Sequence, residues 1–251
     1  DFYPKIPNHL ENDTYLIYVN YFGLCTNIQK KILSIYPSEQ IIFDHSQAFF
    51  VKPFQCFATI YSLRKFLPVA EGGLLVTKDL VNSNYAPRNV ENMIQQYKHC
   101  FIRRLSSASE GYDIFKHNEL ILNDCIPKNI SGITKEILNS LDYDAIQLQR
   151  LKNFKFLHSQ LASINKLHIE VDNIESPLTY PLLLENNISK ELIESGIYTP
   201  TYWLDSLPRL DVDSFEYNLV SKTTHIVCDH RYSQKQMQFQ IDKIKEIYNE
   251  Y

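Results

Sequence analysis

Short apolar runs that stop on polar residues recur through the first third of the chain. They lie in Tyr15–Asn20, in Ile41-Ile-Phe before Asp44, in Thr59-Ile-Tyr before Ser62, and in Leu74-Leu-Val before Thr77. Their shortness and their β-branched and aromatic content predict buried strands. Between the first two, Ile28, Ile32 and Ile35 fall on one face of a helix over residues 28–36. Strand, helix, strand gives a βαβ unit and a parallel sheet. Gly23 in Tyr21-Phe-Gly permits a tight turn after the first strand, because glycine alone adopts positive φ at little cost.

Beyond this region the period changes. Met93, Ile94, Tyr97, Phe101 and Leu105 form the apolar face of a helix over 90–105, and the Ser-rich stretch 106–120 reads as an exposed loop. Helical spacing resumes after Asn129–Thr134 and runs strongly from Tyr143 to Ile164. A strand at 178–184, a helix at 189–195 capped by Ser189 and stopped by Gly196, and a strand at 223–228 follow. The chain closes with an amphipathic helix from a Ser233 cap to Tyr248. There is no internal repeat.

Asp44, Gln47, Ser62 and Lys65 stand where the buried runs of residues 41–77 end. In open α/β sheets, ligands bind outside the carboxyl ends of the strands. A lysine at the edge of an apolar sheet is partly desolvated, which lowers its pKa and makes it a candidate Schiff-base nucleophile. A carboxylate beside a ring nitrogen holds that ring cationic, the electron sink that pyridoxal chemistry requires. A hydroxyl can bind a phosphate and an amide a phenolic oxygen, so the four residues fit pyridoxal 5′-phosphate (PLP) better than a nicotinamide or ATP. Neither Gly-x-Gly-x-x-Gly nor a Walker-type Gly-Lys-Ser/Thr occurs.

Asp44-His-Ser-Gln47, then Ser62-Leu-Arg-Lys65, then Glu71-Gly-Gly73 together resemble the DegT/DnrJ/EryC1/StrS family of sugar aminotransferases. The resemblance covers essentially the whole chain, and its specific motifs lie in residues 41–77. It implies an α/β protein of PLP fold type I: a partial large domain with a mostly parallel sheet over 1–110, and a helical connection with a small C-terminal α/β domain over 111–251. It implies Lys65 as the lysine bonded to the cofactor, Asp44 on the pyridine nitrogen, Gln47 near the ring oxygen and Ser62 on the phosphate. Ser62 stands two residues closer to Lys65 than the family pattern has it. The family also carries more chain at its N-terminus, with a Gly/Ser/Thr-rich phosphate turn and a stacking aromatic that have no counterpart in residues 1–40. The implied reaction is transamination from an amino acid such as glutamate to a keto sugar, usually nucleotide-linked, in a homodimer. A catalytically inactive member that binds a sugar nucleotide or a protein is the alternative.

Several further residues carry two readings each. His45 shields the pyridine or fills space. Tyr21 contacts ligand or packs under its turn. Arg64 tunes the neighbouring lysine or binds a substrate anion. Trp203, in Tyr198-Thr-Pro-Thr-Tyr-Trp, stacks on a sugar or nucleotide or packs between domains. Arg231 binds a substrate anion or is structural. Arg150 and Asn153 resemble the family's interdomain helix.

The 251 residues are 44% hydrophobic, enough for a sizeable core. A net charge of −4 and a pI near 6.1 give no electrostatic case for nucleic acid or an anionic membrane. The cysteines, at 25, 56, 100, 125 and 228, are scattered and odd in number, which argues against a disulfide framework or a zinc site. No apolar run approaches the roughly 18–20 residues of a membrane span. The expectation is a cytoplasmic protein whose partners are small molecules.

Overall fold

A computed structural model describes residues 3–79, 81, 85–87, 89–121, 126–175 and 177–249. Four strands, β1 (Leu16–Val19), β2 (Ile41–His45), β3 (Ala58–Ser62) and β4 (Gly73–Thr77), form one sheet in the order β1-β2-β3-β4. The first three are parallel and β4 runs antiparallel to β3. Helix α1 (Thr26–Ile35) links β1 to β2, completing the expected βαβ unit.

Alternation along β2 fixes the two sides of the sheet. Ile41, Phe43 and His45 are buried, whereas Ile42 and Asp44 point the other way and are half-buried. The register places Val19, Asp44, Ile60 and Leu75 in one row. On that side no layer covers the sheet among the described residues: Ile17 is 63% exposed, Ile60 42% and Leu75 52%. The opposite side holds the core.

Helices α2 (Val90–Leu105), α3 (Tyr112–Ile121), α4 (Gly132–Asn139) and α5 (Tyr143–Leu161) follow. Helix α3 corrects the expected exposed loop over 106–120. The serines of that stretch make a local turn, Ser106 and Ser107 both donating to the Glu110 carboxylate. Phe115 then packs on α2, its ring 5.5 Å from the His99 ring and 5.5 Å from the Arg103 guanidinium carbon. Tertiary packing supplies what the polar composition concealed.

Strands β5 (Thr179–Leu183) and β6 (Thr223–Val227) pair antiparallel as a second sheet. Around them lie α6 (Ser189–Glu194), α7 (Phe215–Lys222) and α8 (Gln234–Asn249). Ser189 is the first residue of α6 rather than its cap; the Asn187 side chain accepts from the Ser189 N–H at 2.8 Å instead. Gly196 ends the helix with φ of +80°, and Ser233 caps α8 through the Gln236 N–H. Helix α7, capped by Ser214 through the Tyr217 N–H, and the 3-10 turn at Leu204–Arg209 were not expected from the sequence.

One hydrophobic cluster joins the two sheets, and a smaller one of Leu63, Phe66, Leu67, Val69, Ile146 and Leu178 packs around the Lys65 turn. The larger contains Tyr18, Ile41 and Phe43 from the first sheet, Tyr180, Leu182 and Ile226 from the second, and Phe154, Leu157, Met237 and Ile244 from α5 and α8. Cys25, Cys56, Cys100 and Cys228 are free thiols; Cys125 lies outside the described residues. No described helix is long and apolar enough to cross a membrane.

Candidate functional site

The carboxyl ends of β1, β2 and β3 stand side by side, and the segments that leave them carry the polar residues. Asp44 ends β2 on the uncovered side of the sheet, where its Oδ1 accepts from the Ser46 N–H at 2.7 Å. This bond turns the chain sharply and sends Gln47 back beneath the β1 end. There Gln47, buried, accepts from the Phe22 N–H at 2.8 Å. With its oxygen so engaged, Gln47 keeps its amide nitrogen as the group that can donate to a ligand.

Lys65 follows β3 in a turn in which the Leu67 N–H bonds the Leu63 carbonyl at 2.9 Å. The turn is held from beneath by the Gly72 carbonyl, which accepts from the Leu63 N–H at 3.3 Å. Gly72 has φ of +107°, and a Cβ on it would lie 2.8 Å from Leu63 Cδ1, so this position requires glycine. Lys65 itself is solvent-exposed. The surrounding protein still strips water from its ammonium and lowers its pKa; Asp44 opposes that shift and Arg64 adds to it. Asp44 and Lys65 thus act on one another electrostatically. Ser62, at the end of β3, lies on the same side of the sheet as Asp44, two residues past Ile60 in the row Asp44 shares.

Other sequence candidates have visible partners. His45 points to the opposite side from Asp44, fully buried, with its Nε2 2.8 Å from Gln29 Nε2 and 3.1 Å from Gln29 Oε1. Burial pushes its pKa down to about 4, against a backbone bond to Val51 and the Asp44 charge, so it is neutral near pH 7. Arg64 makes a two-pronged pair with Glu119 of α3. Arg231 grips the Asp229 carboxylate through Nε and its terminal nitrogen. Burial would raise the Asp229 carboxyl, but Arg231 prevails and holds it below its usual range.

Tyr21 and Trp203, far apart in sequence, meet edge to face with ring centroids 5.0 Å apart. Burial, reinforced by Cys25 and Asp44, raises the Tyr21 hydroxyl's pKa. Phe22 joins the pair, 5.5 Å from Trp203 and 4.8 Å from the His225 ring.

Three supports lie behind the site, and sequence reasoning named Asn20 and Arg150 without their partners. Asn20 ends β1 buried, its amide donating to Thr26 at 3.0 Å and Gln29 at 3.1 Å while its oxygen accepts from the Cys25 N–H at 2.8 Å. The Phe22 carbonyl accepts from the Leu178 N–H at 2.9 Å, tying the β1 turn to the segment that enters β5. Buried Arg150 of α5 lies 4.7 Å from the centroid of Phe66, the residue after Lys65. Only the interruption of an apolar pattern by a lone amide or guanidinium marks such residues.

By sequence the chain matches no family model and no curated protein. By structure it resembles the sugar aminotransferase Spr1654 from Streptococcus pneumoniae in its PMP form, with a TM-score of 0.58, 17% identity, and coverage of 94% of this chain and 70% of that one. A DegT DnrJ EryC1 StrS aminotransferase from Brucella abortus aligns with a TM-score of 0.56 and 15% identity over 93% of this chain and 64% of that one. DesI, solved in the presence of its TDP-sugar product, gives 0.56 and 15% over 94% of this chain and 63% of that one. The chain therefore has the fold of PLP-dependent aminotransferases of fold type I, and the structures it resembles are sugar aminotransferases.

Proposed function

We propose that this chain is the greater part of a PLP-dependent aminotransferase of the DegT/DnrJ/EryC1/StrS family, acting on a keto sugar carried by a nucleotide. The observation that carries the reading is the juxtaposition of Asp44 and Lys65 at the carboxyl ends of β2 and β3. The residues fit the cofactor by their chemistry. A lysine with a lowered pKa is a better nucleophile than an ordinary one, a carboxylate beside it can hold a ring nitrogen protonated, and Gln47 offers a free amide donor.

When bound, PLP supplies the electron sink for moving an amino group between carbon skeletons. Lys65 would hold the cofactor and then, released, carry a proton to and from the substrate carbon. Asp44 would fix the ring orientation and charge. Ser62 would contribute a hydroxyl to the phosphate, and Gln47 would bond the ring's phenolic oxygen. Glutamate as amino donor, a homodimer and a cytoplasmic setting belong to the same reading.

The test is chemical trapping on the full natural chain. PLP is added, the protein is reduced with borohydride, and peptides are mapped by mass spectrometry beside a Lys65→Ala variant. A reduced adduct on Lys65, absent from the variant, is expected. No adduct on Lys65 would overturn the enzyme reading in favour of a binding protein on an aminotransferase scaffold.

A further inference from the structure

Among the described residues, no hydrogen bond or ion pair reaches the exposed Lys65 side chain, so its place is set by the residues on either side. Arg64 is tied to Glu119. Phe66 turns inward, 3% exposed, and its ring lies 6.0 Å from Phe49 and 6.1 Å from Phe50, in the segment that follows Gln47. The Arg150 guanidinium carbon lies over the same ring, 4.7 Å from its centroid.

Arg150 is an expensive residue to bury there. It is 2% exposed, and its Nε has no hydrogen-bond partner among the described residues. Its Nη2 donates to the Leu178 carbonyl at 3.4 Å, a long bond. Asp229, the carboxylate that favours its charge, is already gripped by Arg231 through two nitrogens. Two guanidinium groups thus share one carboxylate. A buried charge so weakly compensated does little for stability, and an apolar side chain of similar volume commonly serves as well or better. What Arg150 adds is a planar cation on an aromatic face, an attraction strongest where water is excluded. The same group is tied to the other half of the crevice. Leu178 donates its N–H to the Phe22 carbonyl at 2.9 Å, and the Phe22 N–H is the donor to Gln47.

We propose that Arg150 is a positioning residue for Lys65: bonded to the Leu178 carbonyl, its guanidinium clamps the Phe66 ring and so fixes the Lys65 turn against the segment that follows Asp44. Ile146, one turn earlier on α5, packs in the same cluster as Phe66 and Leu178, so one face of the helix carries both contacts. That Lys65 is the residue to be positioned rests on the reading proposed above.

The pH dependence of Lys65 acetylation, followed by mass spectrometry on the full natural chain, tests the clamp without PLP. Arg150→Lys keeps the charge and loses the plane, Arg150→Met loses both at similar volume, and Phe66→Leu removes the ring beneath an intact Arg150. Each should move Lys65 toward an ordinary lysine, because a loosened turn readmits water to the ammonium, and should slow its acetylation near neutral pH about threefold. Urea unfolding confirms that each labelled variant is folded. An unchanged Lys65 profile in Arg150→Lys or in Phe66→Leu would overturn the assignment, even with a shift in Arg150→Met, because charge rather than placement would then be the cause. If neither Arg150 variant folds, the Phe66→Leu profile alone decides. The profile reads an amine and not a cofactor, so failure of the clamp is distinct from failure of borohydride to trap an adduct on Lys65.

Discussion

The Glu71 carboxylate anchors Ser131, sixty positions away. Its Oε1 accepts from the Ser131 N–H at 2.8 Å and from the Thr134 hydroxyl at 2.7 Å, at the start of α4. Thr134 in turn contacts the Tyr97 hydroxyl of α2 at 2.7 Å. One buried acid therefore ties the strand-to-strand connection that carries Lys65 to two helices.

Glu71→Gln should reveal this strut. The variant keeps the shape but replaces one acceptor with a donor, and a charge-assisted bond with a neutral one. A loss of about 1–3 kcal/mol is expected from urea unfolding. A change within ~0.5 kcal/mol, typical of surface sites, would refute the anchoring role.

Gly72→Ala should be costly and Gly132→Ala should not. The first combines φ of +107° with a contact of 2.8 Å, whereas nothing lies within 4 Å of a Cβ at position 132. The expected difference is about 1–3 kcal/mol, the usual cost of strained backbone. Comparing the thermal midpoints of the two variants measures it directly.

The Lys65 amine should respond in opposite senses to its two neighbours. Asp44 raises its pKa and Arg64 lowers it. Asp44→Asn should move the Lys65 titration to lower pH, and Arg64→Gln should move it to higher pH. The pH dependence of Lys65 acetylation, followed by mass spectrometry, gives both shifts.

Acid should destabilise the fold through two buried histidines. His45 is depressed to about 4 and His225 to about 3, whereas an unfolded histidine titrates near ~6.5. Below about 6.5 the unfolded chain takes up protons that the folded chain refuses, so stability falls with falling pH until each folded pKa is passed. The neutral forms contribute fully above that range. For His45 the loss is on the order of 3 kcal/mol, and His45→Gln should flatten the profile of unfolding free energy between pH 7 and 4.

Much of this molecule was legible from residue order. The runs before Asp44 and Ser62 became β2 and β3, and Tyr143 opened a long helix as its spacing predicted. Those elements obey local rules of period and capping. Helix α3 escaped because Phe115 gains its partners, His99 and Arg103, only in the folded chain. The aromatic cluster around Trp203 was half visible. Tyr21 and Trp203 stood out as candidates, yet nothing local announces that Phe22 and His225 complete it. Arg64 and Arg231 were suggestive as free cations, and the fold gives each a carboxylate: Glu119 for one and Asp229 for the other.

The bare side of the first sheet has a consequence for chemistry as well as for solubility. Asp44 stands in that face beside Ile60 and Leu75, where water can approach it. At about 4 Å a pair of unit charges interacts by ~1 kcal/mol at the permittivity of water and by ~4 kcal/mol at an effective permittivity of about 20. A layer laid over Ile17, Ile60 and Leu75 would therefore strengthen the hold of Asp44 on a cation several-fold without moving an atom of the carboxylate. How tightly this carboxylate holds a cation is a property of whatever roofs the sheet.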